Sequence, residues 1–294
     1  MPARQAVELD PRRQGSRVVR VRCRAQGLSC RPGFRARCGR GVRPRLGSGL
    51  ADSWLGASAF SLQVFCDFAG YSLCAIGTAL LFGFRFPMNF ESPFGSLGIA
   101  DLWTRWHMSL ASWMRDYVFT PLGGYRKGVA RGHFNLLLTF LAVGLWHGAA
   151  WTFVAWGGLH GLFMIAERLF RRHVWDFGRA GSTAAQAAIA VVTFGLFTVA
   201  VVFFRASSLA QAASLIAAML APGKSSALVA VNASAVAVAA GAVMIGAQIR
   251  CRRLRGWDWL DRWSIAPRAV SIALALTAIA LSPGFNPAFI YFQF

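Results

Sequence analysis

The stretch from Asp101 to Gly161 decides the fold, and it contains Asp101-Leu-Trp-Thr-Arg-Trp-His-Met-Ser-Leu110 and, inside an apolar run, Gly144-Leu-Trp-His-Gly-Ala-Ala-Trp151. In each segment a histidine, His107 or His147, directly follows a tryptophan. An ionisable side chain is costly at membrane depth, and where one occurs it usually marks a functional site. The two histidines are therefore the first candidates for chemistry.

The composition of the whole chain predicts an integral membrane protein. Of the 294 residues, 56% are hydrophobic and only 14% are charged, and long apolar runs alternate with short basic ones. Such runs are typical of helices that cross a bilayer. The formal net charge of +20 does not indicate a nucleic-acid partner, because basic loops are ordinary on the cytoplasmic side of membrane proteins.

Residues 1–52 form an Arg-rich segment with almost no acids and no helical or strand periodicity. We predict that this segment is disordered and separate from a membrane domain over residues 53–294. It lacks the pattern of a secretory signal. Our favoured hypothesis is that it is the translation of GC-rich DNA from a wrong frame or start, and an organellar transit peptide or an RNA-binding arm is the weaker alternative.

The first predicted membrane span covers Trp54 to Phe84. Within it, Gln63, Asp67 and Tyr71 recur at four-residue spacing, which places them on one helical face. Because an ionised Asp67 facing lipid would cost several kcal/mol, we expect this face to look into protein or a water-filled cavity.

Two segments after this span are expected to be irregular or interfacial. The prolines in the segment from Phe86 to Pro93 prevent one continuous helix. The segment from Ile99 to Phe119 mixes tryptophans with charged residues, as helices at the membrane interface do. The apolar run from Phe134 to Ile165 is too long for one span, and its glycines offer several places for a break; a break near His147 would mark a site.

The remaining chain predicts further spans joined by basic loops. Glu167 to Arg179 is expected to be a basic loop, and Ala184 to Phe204 and Ser226 to Ile249 are expected to be spans with a loop between them. Arg250 to Arg268 is a second basic loop, on the same cytoplasmic face as the first. A last, broken span is expected at Ala269 to Leu281, before the aromatic tail.

Several of these motifs resemble those of the membrane-bound O-acyltransferase family, most closely its bacterial branch, which includes the membrane subunit of alginate O-acetylation. The resemblance covers roughly residues 54–294, and its motifs occur in the expected order: Phe65-Cys-Asp-Phe-Ala-Gly-Tyr-Ser72 with Phe82-Gly-Phe-Arg-Phe-Pro-Met-Asn-Phe90, Trp103-Thr-Arg-Trp-His-Met-Ser-Leu110 with Arg115-Asp-Tyr117 and Pro121-Leu-Gly-Gly124, Gly144-Leu-Trp-His-Gly148, and Phe289-Ile-Tyr-Phe-Gln-Phe294.

This resemblance implies an all-α, polytopic helical core with broken and interfacial helices, of which this chain would be the C-terminal part. It implies that His147 is the essential histidine, deep in a tunnel, and that His107 is a second catalytic candidate. It also implies a donor-binding side, for which the candidates are Arg105, Trp106, Arg115, Asp116 and Trp146. Trp151 is expected to wall the site together with Trp146.

Acyl transfer from a thioester to a sugar hydroxyl needs a base for the hydroxyl proton, and a neutral imidazole in a low-dielectric site can serve as one. We expect His147 to be that base, with Asp67 as a candidate orienting partner. By resemblance, the donor is acetyl-CoA or another acyl thioester, with no permanently bound cofactor. The expected acceptor is an extracytoplasmic polysaccharide such as alginate, and an extracytoplasmic acetyltransferase partner would finish the transfer at the bacterial inner membrane.

Other interpretations remain open at the level of sequence. His107 either positions the thioester, relays a proton or anchors an interfacial helix. The chain is either an active enzyme or an inactive truncated remnant of one, and a transporter or channel is a third, weaker alternative because no two-fold repeat is present. The spacing of His147 and His160 gives little support for a metal site.

Overall fold

The computed structural model describes residues 50–220, 231–253 and 264, and these residues are predominantly helical. The helices are α1 (Leu50–Leu81), α2 (Ile99–Trp103), α3 (Met108–Met114), α4 (Val129–His147), α5 (Trp151–His173), α6 (Thr183–Arg205), α7 (Leu209–Leu220) and α8 (Val231–Cys251). A π-helix covers Arg115–Phe119, and short 3-10 turns cover Pro93–Gly95 and Phe177–Arg179. Extended pairing in the described part is confined to a bridge between Phe90 and Trp106.

Three of the described helices, α1, α4 and α6, are long and apolar enough to cross a membrane. The prediction of an all-α membrane fold is confirmed, and helices of spanning length and apolarity occupy most of the predicted spans at Trp54 to Phe84 and Ala184 to Phe204. As expected, the segment from Phe86 to Pro93 is not one helix. The predicted interfacial segment is broken into α2, α3 and the π-helix.

Helix α1 buries a face next to its polar stripe. Val64 and Phe68 face the core, whereas Gln63 and Tyr71 are exposed and Asp67 is half-buried. The described residues therefore leave this polar face largely uncovered, and whether it looks into protein or a water-filled cavity stays a prediction.

The core is an aromatic cluster at the centre of the helices. It joins Phe68 of α1 and Trp106 from the loop after α2 to side chains of the longer helices, including Phe140, Phe153, Trp156, Phe197 and Phe204. Aromatic rings bury large apolar areas and meet edge to face, so this cluster supplies much of the packing that positions the site.

Two segments predicted as loops are helical. Glu167 to Arg179 was expected to be a basic loop, but α5 continues to His173. Its Glu167 carboxylate is buried, accepts a hydrogen bond from the Ala100 N–H at 3.0 Å and pairs with Arg171 at 3.0 Å. The predicted loop after Phe204 contains α7, which packs on α1 because the Trp54 indole N–H donates to the Met219 carbonyl.

Several predictions lie outside the described residues. They are the disorder predicted for residues 1–52, of which 50–52 are described and belong to α1, the second basic loop from Arg250 to Arg268, of which Arg250 and Cys251 end α8, and the last span and aromatic tail at residues 265–294. They stay predictions from the sequence.

Candidate active site

His147 is the last residue of α4, at a break within the long apolar run. Gly148 follows with a φ of 156°, and a Cβ there would lie 2.7 Å from the Phe153 ring, so glycine allows this close approach. Helix α5 begins at Trp151, where the Ala150 carbonyl accepts from the Phe153 N–H. The chain breaks directly after His147, at one of the glycines that offered a break, and the break lets α5 fold back along α4.

The His147 imidazole is half-buried between aromatic rings of the next two long helices. It meets Trp156 of α5 edge to face, with ring centroids 5.0 Å apart, and Phe204 of α6 at 5.2 Å. These contacts hold the imidazole at the junction of three helices. Trp156 and Phe204 were not among the site residues predicted from sequence.

His107 lies in the connection between α2 and α3, in an unusual backbone conformation. Its φ of 45° and ψ of 53° are left-handed, a region that residues other than glycine seldom occupy. Such a conformation costs on the order of 1–3 kcal/mol and persists where the surrounding structure enforces it, often at functional sites. The imidazole is half-buried and packs edge to face on Phe68 at 4.6 Å.

Burial and the neighbouring His147 both affect the His107 imidazole. Burial lowers the pKa of His107 below its ordinary value, and a positive charge on His147 lowers it further. His107 is therefore neutral at physiological pH, with an imidazole nitrogen available to accept a hydrogen bond.

A third histidine, His160 of α5, lies one turn beyond Trp156 in the same aromatic cluster. It is fully buried, its ring lies 5.0 Å from that of Trp156, and its Nδ1 accepts from the Trp103 indole N–H at 3.4 Å. In the described part of the chain its Nε2 has no hydrogen-bond partner. Sequence reasoning considered His160 only as a metal ligand, although its four-residue spacing from Trp156 places both on one face of α5.

Of the five predicted donor-binding residues, Arg105 and Trp106 lie inside the fold. The Arg105 guanidinium bonds to Asp101 at 2.8 Å and to two backbone carbonyls, those of Glu91 and Arg252. Trp106 is buried, and the centroid of its ring lies 4.8 Å from that of the Phe197 ring. Both residues therefore support the segment that carries His107 from the inside of the fold.

The other three predicted donor-binding residues, Arg115, Asp116 and Trp146, are exposed. Arg115 pairs with Asp116 at 2.9 Å on the π-helix, and this pairing lowers the pKa of the Asp116 carboxyl. Trp146, 64% exposed, lies 6.3 Å from the Trp113 ring. Single π-helical turns are frequent at functional sites. This π-helix and Trp146, the residue before His147, belong to one exposed surface of aromatic and charged side chains.

Trp151, which was expected to wall the site with Trp146, is exposed at the start of α5. The walls of His147 in the described structure are instead Trp156 and Phe204, because the turn at Gly148 directs the later part of α5 toward it.

The sequence model of the membrane-bound O-acyltransferase family matches residues 49–209. A probable alginate O-acetylase of Pseudomonas putida is 42% identical over 181 residues, which cover 58% of this chain and 34% of that protein. A peptidoglycan O-acetyltransferase of Helicobacter pylori is 38% identical over 168 residues, covering 57% and 31%. A teichoic acid D-alanyltransferase of Bacillus subtilis is 37% identical over 120 residues, covering 38% and 30%.

The fold and the site define the class: an all-α membrane protein with histidines placed where its helices break. The family match covers more than half of the chain and includes the segments of both His107 and His147. The chain belongs to the membrane-bound O-acyltransferase family, as its motifs predicted. It spans about a third of the length of the curated relatives it matches.

Proposed function

We propose that this chain carries the acyl-transfer centre of a multi-pass membrane O-acyltransferase of the bacterial inner membrane. The reaction moves an acetyl group from a cytoplasmic thioester, such as acetyl-CoA, to a hydroxyl of an extracytoplasmic polysaccharide such as alginate. The observation that carries the proposal is the position of His147 at a helix break between Trp156 and Phe204, near a second, neutral histidine. The names of the relatives, which concern alginate, peptidoglycan and teichoic acid, support a cell-surface polymer as acceptor.

In the proposed reaction His147 acts as general base. Its neutral imidazole accepts the proton of the acceptor hydroxyl while the hydroxyl oxygen bonds to the thioester carbonyl carbon. The tetrahedral intermediate then collapses, the C–S bond breaks, and the leaving thiolate takes the proton from the imidazolium. The products are an O-acetyl ester and a free thiol, and His147 is neutral again.

His107 is proposed to contact the thioester as a neutral hydrogen-bonding group. Arg115, Asp116 and Trp146 are the proposed contacts of the rest of the donor, because they are exposed beside the end of α4. Arg105 and Trp106 act through the fold that carries His107. An extracytoplasmic acetyltransferase partner is proposed to pass the group to its final acceptor.

The test is acetyl transfer from labelled acetyl-CoA to polysaccharide, in membranes that carry the chain together with its polysaccharide and partner. Three proteins are compared at equal abundance: the chain itself, the His147→Ala variant and, as a matched control, His173→Ala at the exposed end of α5. Loss of a general base costs on the order of a hundredfold or more in rate. We therefore expect that loss for His147→Ala and none for His173→Ala.

The same measurement is made on a longer form, in which the part of the Pseudomonas putida relative outside the match is restored. If only the longer form is active, the 294-residue chain is an inactive part of such an enzyme. The role of His147 is then decided by the His147→Ala variant of the longer form. Full activity of His147→Ala, or no transfer by either form, would overturn the proposed function.

A further inference from the structure

The left-handed conformation of His107 is enforced by the segment that precedes α2. The Asn89 carbonyl accepts from the Met108 N–H at 3.1 Å. Its side-chain Oδ1 accepts from the Ser109 N–H at 3.2 Å and from the Ser109 hydroxyl at 2.8 Å. Asn89 therefore holds both residues that follow His107 and satisfies N–H groups at the start of α3, which have no partner within the helix.

The chain on the other side of His107 is paired with the same segment. Phe90 and Trp106 form an antiparallel bridge, and the Glu91 N–H donates to the Arg105 carbonyl at 3.0 Å. His107 is thus the one residue between two stretches of backbone that are both fixed to residues 89–91. Fixing both sides leaves little freedom at His107 itself, which explains how a strained conformation persists there.

Asn89 also connects this arrangement to α1. Its side-chain Nδ2 donates to the Ser72 hydroxyl at 3.3 Å. Phe68, one helical turn earlier on the same face of α1, packs edge to face on the His107 ring. One face of α1 therefore supports both the His107 ring, through Phe68, and Asn89, through Ser72.

The His107 imidazole is placed by these backbone and ring contacts. Among the described residues, no side chain or backbone group hydrogen-bonds to its two nitrogens, so they remain available to a ligand. A ligand-binding group of this kind depends on its neighbours for orientation, and errors of about 1 Å in such a group are costly for the rate.

We propose that Asn89 is a positioning residue of the acyl-transfer site, which holds His107 in the orientation that receives the thioester. This inference rests on the proposed function for its substrate, an acyl thioester. Asn89 does not touch the reacting groups and acts through its bonds to Met108 and Ser109, the two residues that follow His107. If Asn89 only stabilised α3 as a helix cap, its removal would lower the stability of the fold and leave the orientation of His107 unchanged.

The experiment compares three variants in membranes. Asn89→Ala removes the side-chain bonds to Ser109 and Ser72. Asn89→Asp keeps an acceptor for Ser109 at the N-terminus of α3, where a carboxylate is favoured. Ser72→Ala removes only the partner of Asn89 on α1. We expect kcat to fall by about ten- to a hundredfold in Asn89→Ala. We expect Asn89→Asp to recover most of that loss and Ser72→Ala to lower kcat less than Asn89→Ala does, because the bonds between Asn89 and Ser109 remain.

A second readout does not depend on catalysis. Diethyl pyrocarbonate modifies neutral, accessible imidazoles, and peptide mass spectrometry measures the rate at His107 with His173 as internal reference. We expect the relative rate at His107 to rise several-fold in Asn89→Ala and to return toward the original rate in Asn89→Asp. If Asn89→Ala does not accumulate, Ser109→Ala, which removes the 2.8 Å bond, takes its place.

The two readouts separate the inference from the proposed function. Altered labelling together with a lower kcat in Asn89→Ala, both restored by Asp, supports the inference. Unaltered labelling overturns it, and so does altered labelling with an unchanged kcat. If the unaltered chain transfers no acetyl group in either the short or the longer form, the proposed function fails, and with it the catalytic meaning of Asn89, while the labelling still decides whether Asn89 orients His107.

Discussion

At the scale of single residues, the surroundings of a side chain set its chemistry more than its identity does. His107 and His147 both follow a tryptophan, yet one lies in a strained loop and the other at a helix end. Arg105 and Arg115 both carry a guanidinium, yet the first is enclosed by carbonyls and a carboxylate and the second is exposed. Each pair was equivalent in the sequence pattern and is distinct in the structure.

The lowered pKa of His107 predicts the pH dependence of its reactivity. Burial disfavours the imidazolium, so His107 stays neutral until the pH falls below its lowered pKa. Its rate of reaction with diethyl pyrocarbonate, corrected for reagent hydrolysis, should have a midpoint below the ordinary imidazole value of 6.5. N-acetylhistidine in the same buffers is the control. A midpoint at or above that of N-acetylhistidine would contradict the buried environment described for His107.

At the scale of helices, the break after His147 works because α4 and α5 approach closely. A Cβ at Gly157 would meet the Phe140 carbonyl oxygen and lie 3.0 Å from the Gly144 Cα, so the two backbones touch. Small residues allow this approach in membrane helices. It brings Trp156, the residue before Gly157, onto the His147 ring.

Substitution of Gly157 by alanine should force α4 and α5 apart. Overpacking of a tight contact costs typically about 1–3 kcal/mol, so we expect a lower melting temperature of the detergent-solubilised protein. Gly77→Ala is the matched control, since a Cβ at Gly77 of α1 meets no atom within 4 Å and should be neutral or slightly stabilising. Equal melting temperatures for the two variants would show that α4 and α5 do not pack as described.

At the scale of the whole molecule, a polar network ties the end of α8 to the start of the His107 segment. Asp101 pairs with Arg105 at 2.8 Å and with Arg252 at 3.3 Å, and Arg252 also donates to the Gly95 carbonyl. Burial raises the pKa of Asp101, but the hydrogen bond from the Leu97 N–H and the two guanidinium groups outweigh it, so the pKa lies below its ordinary value. Residues far apart in the chain are thus held at one polar site.

Asp101→Asn should weaken this network, because it leaves two partly buried guanidinium groups without a counter-charge. Bonds to charged groups contribute about 1.5–3 kcal/mol, and we expect a loss of about that size in the free energy of unfolding. Since the folded-state pKa is lowered, the contribution of the charge is present above the ordinary carboxyl pKa of about 4 and disappears as the pH falls through the folded-state pKa.

The control for this variant is Asp116→Asn, which removes an exposed pair with Arg115 and should change stability little. Thermal unfolding at neutral pH compares the two variants directly. A larger loss in Asp116→Asn than in Asp101→Asn would contradict the role of the Asp101 network.

The sequence by itself determined the class of the protein and the position of its candidate histidines. Apolar runs of bilayer length predict helices because backbone groups in lipid must bond internally, and α1, α4 and α6 confirm this. Glycines in the long apolar run offered several places for a break, one of them Gly148, and the tryptophan–histidine motifs predicted the family. These features are local, so residue type and spacing suffice to recognise them.

Contacts between distant segments were decided by the tertiary structure. Glu167 was misassigned to a loop because its partners, Ala100 and Arg171, make an ionisable residue tolerable inside the fold. The packing of Trp156 and Phe204 on His147 depends on how three helices cross, and the hold of Asn89 on Met108 and Ser109 depends on a bridge across the His107 loop. Hydrophobic spacing shows which face of a helix is buried, but the neighbour that covers that face follows only from the packing of the whole chain.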